Sequence, residues 1–437
     1  PDWNLSIRYI FIYSNRIGYF TGTSCRRKHF ISGFSFFSYP ENGNSAYFSI
    51  FACMNHSVYA QQYRQDLLQR IIPFWTEFSL DTIHGGYVCV ISNKGEIITF
   101  DKWIKWHGRQ AWAFGKLYQV TSRPEFLEYA LQGADFLLHF GADAKENWWE
   151  LVDCTGRGVA EVSDVCAEVG AVSAWSLAYE LTKEDTYAES AKKTLLKAIR
   201  RREKGLQKRT EAILTGRHLK NVGELSALAK ALIDAQHILG EKIFREKGES
   251  LLHELTKHFW EPRANIMLEN VFSEGGYSDC LLGRRIHPGR VFEAFNAFYE
   301  LTKVLNKRRI RQQLAQHVAY LADTTWDEGY GGYFHWLDIK SLPASEPDAY
   351  YKYAWVQLEA CTALLRAYQV LQDRTLLKHW QRVSDYVWQH FPDISKEGEW
   401  VGVLSRHGEP LYNLKASPDK NAYYPVKNVL ESADLLE

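Results

Sequence analysis

The chain has 437 residues, and its 52 Lys and Arg residues balance its 52 Asp and Glu residues, so its charge gives no reason to expect nucleic acid or an acidic membrane as a partner. The hydrophobic content of 46% is enough for a large core and excludes a disordered chain. No apolar run reaches the roughly 18 residues that a transmembrane helix needs, so we expect no membrane partner. The aromatic content of 14% suits either core packing or contact with carbohydrate.

The first 53 residues differ in composition from those that follow. They are rich in Phe, Tyr and Ser and show no clear helical period. They lack the compact apolar region of a signal peptide and are too aromatic for a typical transit peptide. The chain begins with Pro1, and its first methionine is Met54. We therefore expect residues 1–53 to be a leader or a poorly ordered extension outside the fold, and residues 54–437 to form one cytoplasmic domain.

The seven cysteines form no CxxC motif, and their number is odd. This usage favours structural thiols in a reducing compartment over a disulfide framework or a zinc site. We therefore expect no metal centre.

From residue 61 onward, one short phrase recurs. In four copies an aromatic anchor is followed by Gln or Glu, and a fifth copy is weaker. The anchors, spaced by 61, 58, 62 and 69 residues, are Tyr118, Tyr179, His237, Tyr299 and Tyr368. A period of this length fits a unit of two helices and a hairpin.

Each unit predicts an apolar helix that ends at its anchor, a polar turn and a second, amphipathic helix. An extended segment with Gly and aromatic residues then closes the unit, in a pattern typical of hairpins. The predicted second helices include residues 124–140, 187–200 and 376–390, and the closing segments are residues 85–88, 148–151, 267–270, 331–334 and 398–401.

Five helix pairs fill residues 109–391, and one unpaired helix remains at each end, over residues 63–78 and 425–436. If these two helices form a sixth pair, the repeats close on themselves and no end repeat needs a cap, unlike in an open solenoid. The sequence therefore predicts an all-α fold, an (α/α)6 barrel in which outer helices surround inner ones. The short β-hairpins should gather at one mouth, where the inner helices begin.

Residues nine positions before the anchors should lie at one level of the barrel, because nine residues span 2.5 helical turns. They are Arg109, Gly170, Leu228, Arg290 and Glu359. A charged group at this level needs a partner or a ligand, so the charged members can converge on a central pocket. The pattern alone leaves open a purely structural network of arginine and glutamate across the ring.

Eight segments carry a more specific signal. They are residues 74–81 with Gly85-Gly86-Tyr87, residues 102–112, Ser163-Asp164-Val165-Cys166, residues 279–284, residues 288–294, Trp326-Asp327 with Gly332-Tyr333-Phe334, residues 355–359, and Gly398-Glu399-Trp400-Val401-Gly402. Together and in this order, they resemble the N-acylglucosamine 2-epimerase family, also known through renin-binding protein. The resemblance extends over about residues 61–436.

The resemblance implies an (α/α)6 barrel, in agreement with the repeats, and an enzyme that acts on a small carbohydrate. Members of the family interconvert sugars that are epimeric at C2, or isomerise aldoses to ketoses. The implied chemistry removes the proton next to the open-chain aldehyde and returns it on the other face. It needs two bases on opposite sides of the carbon and a donor or cation that stabilises the enediolate. It requires no metal or redox cofactor.

Carried over residue by residue, the resemblance implies that Arg109 binds a substrate oxygen and that Glu293 and Glu359 are acidic residues of the pocket. Three expected histidines are replaced, by Arg290, Gln357 and Tyr424. Arginine is not a base at neutral pH, and the unperturbed pKa of tyrosine is about 10. Each loss of an acid–base histidine should cost on the order of 10² to 10⁴ in rate.

Other groups could take over the proton transfer. His107 and His287 lie close in sequence to the two arginines, and a buried glutamate could act if its pKa is raised. We expect catalytic roles for Arg109, Glu293, Glu359, Arg290 and Tyr424, and substrate contacts from Trp103, His107, Trp355, Gln357 and His287.

Two other functions stay open. The chain could bind sugars without turnover and prefer acidic ones, because Arg109 and Arg290 can form paired hydrogen bonds with a carboxylate or phosphate. A glycoside hydrolase with the same barrel and two carboxylates is the third hypothesis. The basic stretch at residues 192–209 is expected to be a solvated surface rather than a nucleic-acid site. The resemblance also suggests a homodimer.

Overall fold

A computed structural model describes residues 9–13, 16–20 and 56–437, except residues 163, 205–218, 262–265, 345, 394–398 and 413. Backbone contacts divide the chain into two units, Pro1–Phe51 and Ala52–Glu437. In the first unit, strands β1 (Tyr9–Tyr13) and β2 (Arg16–Phe20) pair in antiparallel fashion. The prediction that residues 1–53 are a leader falls mostly outside the described residues and stays a prediction.

The second unit is built from helices that follow one another in pairs. In chain order, the helices of the described residues are α1 (His56–Asp66), α2 (Ile72–Phe78), α3 (Ile104–Thr121), α4 (Pro124–Phe140), α5 (Cys166–Thr182), α6 (Asp185–Glu203), α7 (Val222–Asp234), α8 (Gln236–Leu239), α9 (Glu241–Glu254), α10 (Leu281–Arg284), α11 (Pro288–Val304), α12 (Arg308–Thr324), α13 (Ala354–Leu371), α14 (Arg374–His390) and α15 (Tyr423–Leu436). A π-helical turn at Leu67–Ile71 joins α1 to α2.

Six of these helices form an inner ring. In order around the ring they are α3, α5, α7, α11, α13 and α15, and α15 packs back against α3. The ring confirms the predicted (α/α)6 barrel, because the helices on its outside alternate in sequence with those inside. In a ring of six, α3 faces α11 across the axis and α5 faces α13. No helix in the described part of the chain is long and apolar enough to cross a membrane.

Small residues let the inner helices approach closely. Gly108 of α3 faces the backbone of Gly170 on α5, and a Cβ at position 108 would clash with it. The nine-residue count from the anchors therefore places Arg109 and Gly170 at neighbouring levels, as predicted.

Short strands collect where the inner helices begin. They are β3 (Val90–Ser92), β4 (Ile97–Thr99), β5 (Lys102–Trp103), β6 (Trp149–Val152), β7 (Gly158–Glu161), β8 (Leu219–Asn221), β9 (Trp260–Glu261), β10 (Ile266–Met267), β11 (Asn270–Phe272), β12 (Arg285–Ile286), β13 (Leu337–Asp338), β14 (Lys352–Tyr353), β15 (Val403–Leu404) and β16 (Leu414–Ala416). Local hairpins occur at β3–β4, β6–β7 and β9–β10.

The remaining strand pairs link one repeat to the next. The strand before an inner helix pairs with the strand after the following outer helix, as in β5–β6, β8–β11, β12–β13 and β14–β15. The last strand, β16, pairs with β3, which follows the first outer helix. The last repeat therefore pairs with the first at the hairpin mouth, in line with the predicted closure of the ring, whereas the sequence pattern predicted local hairpins and not these pairs between repeats.

The recurring tyrosine marks the end of an inner helix. In three repeats its carbonyl accepts the N–H of the residue four positions later at 2.8 Å, and that residue has a left-handed φ between 56° and 64°, which terminates a helix. The pairs are Tyr118 with Ser122, Tyr179 with Lys183, and Tyr368 with Gln372. At the weak fifth copy the prediction was wrong, because α7 ends at Asp234 and His237 lies in the separate helix α8.

Candidate active site

A cavity of about 470 Å³ opens where the six inner helices begin, and we call it the hairpin-mouth cavity. Its size suits a small organic ligand. Because the helix N-termini converge here, their dipoles favour negative charge in the cavity. Its wall includes Lys105, Trp106 and Arg109 on α3, Asp164 and Cys166 at α5, His287 and Arg290 at α11, Tyr353 and Trp355 at α13, and Tyr424 on α15.

A hydrogen-bonded layer of four side chains lies across the barrel axis. Arg109 Nη1 donates to the Tyr424 hydroxyl at 2.9 Å, and this hydroxyl donates to Glu293 Oε1 at 3.1 Å. Arg290 Nη1 donates to Glu293 Oε2 at 2.8 Å, while Arg109 Nη2 lies 3.7 Å from Oε1. The structure thus brings together four of the five residues that were predicted to be catalytic.

The layer carries a net positive charge, because two guanidinium groups share one carboxylate. Burial alone would raise the pKa of the Glu293 carboxyl, but Arg290 and Arg109 outweigh it and hold this pKa below its ordinary value. Glu293 is therefore ionised and is not a proton donor at neutral pH.

Tyr424 acts in this layer as a hydroxyl donor. Burial raises the pKa of its phenol, and the opposing effect of Arg109 is smaller. Its ring stacks on Trp355 with the centroids 5.3 Å apart, and the Arg290 guanidinium lies 5.1 Å from the Trp355 ring. Tyr424 therefore stays protonated and cannot serve as a general base at neutral pH.

Glu359, the fifth predicted catalytic residue, lies apart from the cavity. It is fully buried, and it accepts hydrogen bonds from Lys427 Nζ at 2.7 Å, Asn428 Nδ2 at 3.0 Å and Asn296 Nδ2 at 2.8 Å. This position contradicts the prediction that Glu359 contacts a substrate, because its carboxylate has no exposed surface and accepts hydrogen bonds from three protein donors.

Two residues predicted to bind substrate support the hairpins from inside. His107 Nε2 accepts the backbone N–H of Tyr87 at 2.8 Å, and its Nδ1 lies 3.2 Å from the Trp103 carbonyl oxygen. Gln357 bonds both the N–H and the carbonyl of Tyr333, at 2.8 and 3.0 Å. Both side chains are fully buried with their polar atoms engaged, so this prediction is also corrected.

The other predicted contact residues differ in position. Trp103 packs against Cys89, Val90 and Trp106 outside the cavity, whereas Trp355 and His287 line it. His287 is 2% exposed, and its Nδ1 is sealed in the wall without a partner. Burial, with smaller contributions from His335 and Arg290, lowers the pKa of His287 well below its ordinary value.

Sequence reasoning missed a histidine–carboxylate pair in the wall. His335 Nδ1 lies 2.8 Å from Asp348 Oδ2, and the Tyr353 hydroxyl donates to the same oxygen at 3.0 Å. His335 directly follows Phe334, the last residue of one matched segment, so the histidine itself was visible. Its partner was not, because 12 residues, among them the short strand β13, separate the two residues in sequence.

Sequence reasoning also missed Arg285, which contacts a glutamate and a tryptophan in the wall of the cavity. Arg285 Nε lies 3.1 Å from Glu269 Oε2, and its guanidinium lies 4.1 Å from the Trp336 ring. Burial raises the pKa of Glu269, and Arg285 partly offsets the effect. This part of the wall therefore combines cationic and aromatic surfaces.

A second cavity of about 430 Å³ continues along the axis toward the C-terminal ends of the inner helices. Arg109 and Cys166 line both cavities, and Glu293 lines the second. The charged layer therefore forms the floor of the hairpin-mouth cavity. Within the described residues, no group of three or more His, Cys, Asp and Glu side chains is arranged to hold a metal ion.

Residues 85–427 match the family described as N-acylglucosamine 2-epimerase (GlcNAc 2-epimerase). The N-acylglucosamine 2-epimerase of Mus musculus is 27% identical over 376 residues, which cover 82% of this chain and 87% of that protein. The enzyme of the same name from Homo sapiens is 25% identical over 371 residues, covering 82% and 85%.

Solved structures with the same barrel are more distant in sequence. Cellobiose 2-epimerase from Bacillus thermoamylovorans B4167 aligns with a TM-score of 0.75 at 18% identity, covering 86% of this chain and 99% of that one. A D-mannose isomerase aligns with a TM-score of 0.72 at 16% identity, covering 91% and 100%. These two likenesses show the fold.

Proposed function

Because the chain belongs to the N-acylglucosamine 2-epimerase family, we propose that it is a sugar isomerase or epimerase that removes and returns the C2 proton of an open-chain sugar in the hairpin-mouth cavity. The observation that carries this proposal is the layer in which Arg109 and Arg290 share Glu293. Its net positive charge lies at the floor of the cavity, where an enediolate could receive hydrogen bonds from groups already held in place.

The walls suit the two surfaces of a sugar. Trp355, Trp336 and Trp106 line the cavity and supply aromatic surface that can contact C–H groups, and the arginines offer donors to sugar oxygens. The related proteins are named for N-acylglucosamine and cellobiose. We therefore take aldoses of this kind as the substrate class.

The reaction needs few parts. A base takes the C2 proton, the C2–H electron pair forms a double bond to C1, and the carbonyl electrons move to O1 as an enediolate. Arg109 and Arg290 stabilise this oxygen, while the Tyr424 hydroxyl stays hydrogen-bonded to Glu293. The resemblance implies acid–base histidines at positions 290 and 424. Arg290 and Tyr424 occupy these positions and cannot act as bases, so the base must be another residue.

A second candidate function has one observation in its favour. The shared carboxylate leaves guanidinium capacity unused, which would suit an acidic sugar that is bound but not turned over.

The test is solvent exchange. The protein is incubated in D2O with N-acetylglucosamine, cellobiose, D-glucose or D-mannose, and the C2 proton signal is followed by NMR. We expect the signal of at least one sugar to decay with the wild type. In Arg109→Gln the rate should fall by about 10² to 10³, the usual effect of removing one oxyanion donor. In Arg245→Gln, a matched change on the exposed face of α9, the rate should stay as in the wild type.

Calorimetric titration with D-glucose and D-glucuronate separates the two functions. Exchange at C2 supports the proposed enzyme. Tight binding of glucuronate without exchange of any sugar contradicts it and supports the binding protein.

A further inference from the structure

His335 has the surroundings of a general base. Asp348 Oδ2 lies 2.8 Å from its Nδ1, at ion-pair distance but not aligned as a hydrogen bond, and Nε2 is left available to a ligand in the cavity that the ring lines. The ring also packs against Tyr353, with the centroids 4.0 Å apart, and its backbone N–H donates to the Ala349 carbonyl at 3.1 Å. A histidine oriented by a carboxylate through one nitrogen presents the other in a fixed direction.

The two histidines of the cavity lie on the same side of it. The His335 ring meets the His287 ring edge to face, with the centroids 4.6 Å apart. His287 precedes α11, and Tyr353 precedes α13, so both imidazoles lie over the α11–α13 side of the ring.

The facing wall belongs to α3 and α5. The described residues place no imidazole on it, and its cavity-lining groups include Lys105, Arg109 and Cys166. Its carboxylate, Asp164, accepts the backbone N–H of Cys166 at 2.6 Å through Oδ1. Epimerisation at C2 needs proton transfer on both faces of the carbon, whereas transfer between C2 and C1 needs a base on one face.

We propose that His335, held by Asp348, is the catalytic base, and that its position on one wall makes the reaction an aldose–ketose isomerisation rather than a direct C2 epimerisation. This inference rests on the proposed function, since it names the base and the product of the same site.

The steps balance without any further reactant. His335 Nε2 takes the C2 proton, and the carbonyl electrons move to O1 as the C1–C2 double bond forms. The hydroxyl proton of O2 passes to O1, which turns the enediolate into its tautomer with the charge on O2. The imidazolium then returns its proton to C1 on the same face, and O2 becomes the ketone of the ketose.

The charges around His335 set its pH response. Burial lowers the pKa of His335 to about 4, Asp348 opposes the shift, and Arg285 and Arg290 add to it. His287 is its neutral neighbour. Because the base must be unprotonated, the rate should rise with pH through about 4 and stay level above about pH 5.5. A histidine with an ordinary pKa would instead produce a rise near pH 6.5.

The test follows products from D-glucose and D-mannose, which differ at C2, by NMR in D2O. We expect a ketose from only one of the two sugars, the one whose C2 proton faces His335, and no formation of the other aldose. Deuterium should appear at C1 of this ketose where the imidazolium proton exchanges with the solvent before it is returned. His335→Asn should lose about 10² to 10⁴ in rate, while His253→Asn, the same change on the exposed surface of α9, should match the wild type.

Asp348→Asn provides a readout that a structural role would not give. It removes the carboxylate that raises the pKa of His335, so the acid limb of the rate should move to lower pH while the melting temperature is followed as a check on folding. The inference is overturned if the wild type exchanges C2 and forms the 2-epimer, or if a folded His335→Asn keeps its rate. If no sugar exchanges at all, the proposed function itself fails and this inference fails with it.

Discussion

Arg109 and Glu359 stand at equivalent positions of two repeats, nine residues before their anchors, yet their surroundings differ. Arg109 belongs to a layer with one carboxylate for two guanidiniums, and it lines both cavities. Glu359 has three donors of its own and no exposed surface. The comparison teaches that a charged residue at the right level of a barrel can bind a ligand only when its protein partners leave some of its hydrogen-bonding capacity free.

The largest effect on stability should come from breaking the buried ion pair of Glu359 and Lys427. Lys427→Met leaves the buried Glu359 carboxylate without its cation, and such a loss costs about 3 to 5 kcal/mol of the free energy of unfolding. Urea denaturation followed by circular dichroism measures this cost. Combining Lys427→Met with Glu359→Gln should recover most of the loss, because no unpaired charge then remains. A single variant as stable as the wild type would contradict the structural role of the pair.

A change in the hydrogen-bonded layer at the cavity floor should reduce the rate of the reaction more than the stability of the fold. In the exchange assay Arg109→Gln should lose about 10² to 10³ in rate, which corresponds to about 2.7 to 4 kcal/mol of transition-state stabilisation. Glu293 keeps Arg290 as a partner in this variant, so the free energy of unfolding should fall less than in Lys427→Met. Glu359→Gln should show the reverse, a loss of stability with the exchange rate preserved. Equal rate losses in both variants would erase the distinction between the two positions.

A second pair of positions compares histidine with glutamine. His107 and Gln357 both accept a backbone N–H from a tyrosine that follows a Gly-Gly pair, but only histidine titrates. Burial lowers the pKa of His107 to about 3, whereas the unfolded value is about 6.5. Between these values the unfolded chain binds the extra proton, so stability is present above pH 6.5 and is lost as the pH falls toward 3.

Replacing His107 should therefore reduce acid sensitivity. From pH 7 to pH 4.5, His107 accounts for a loss of about 2 to 3 kcal/mol in the free energy of unfolding. His107→Gln should remove this loss, and Gln357→His should add a loss of the same sign. Urea denaturation at both pH values measures each change. If His107→Gln has the pH dependence of the wild type, the imidazole is not buried in its neutral form.

The smallest effect should come from the exposed ion pair between the first and last helices. Arg64 Nη2 lies 2.6 Å from Asp434 Oδ1, and the aspartate side chain is 68% exposed. Exposed pairs contribute about 0 to 1 kcal/mol. Arg64→Ala should therefore shift the urea midpoint only slightly, and a loss as large as that of Lys427→Met would show that ring closure depends on this contact.

The repeat made the barrel predictable from sequence. Each repeat carries the same local signals, and these signals placed α4 at residues 124–140, where the structure has it. The layer was partly predictable, because helical geometry sets the levels of Arg109 and Arg290. The sequence could not show that Lys427 and Asn428 of the last helix donate hydrogen bonds to Glu359, because this pairing depends on packing between distant segments.

The wall of the cavity was the least predictable part. The pairing of His335 with Asp348 and of Arg285 with Glu269 arises in loops and two-residue strands without a repeating period, so the spacing in sequence does not predict which side chains meet. The prediction that His107 and Gln357 contact the substrate was wrong for a related reason. Their residue types suit ligand binding, but their polar atoms are already hydrogen-bonded to the backbone of Tyr87 and Tyr333.

A crystal structure with a bound open-chain polyol, D-glucitol, tests most directly whether the hairpin-mouth cavity is the sugar site. We expect the polyol in this cavity, with one oxygen within hydrogen-bond distance of Arg109 or Arg290 and a carbon next to His335. A polyol bound only in the second cavity or on the outer surface would contradict the account.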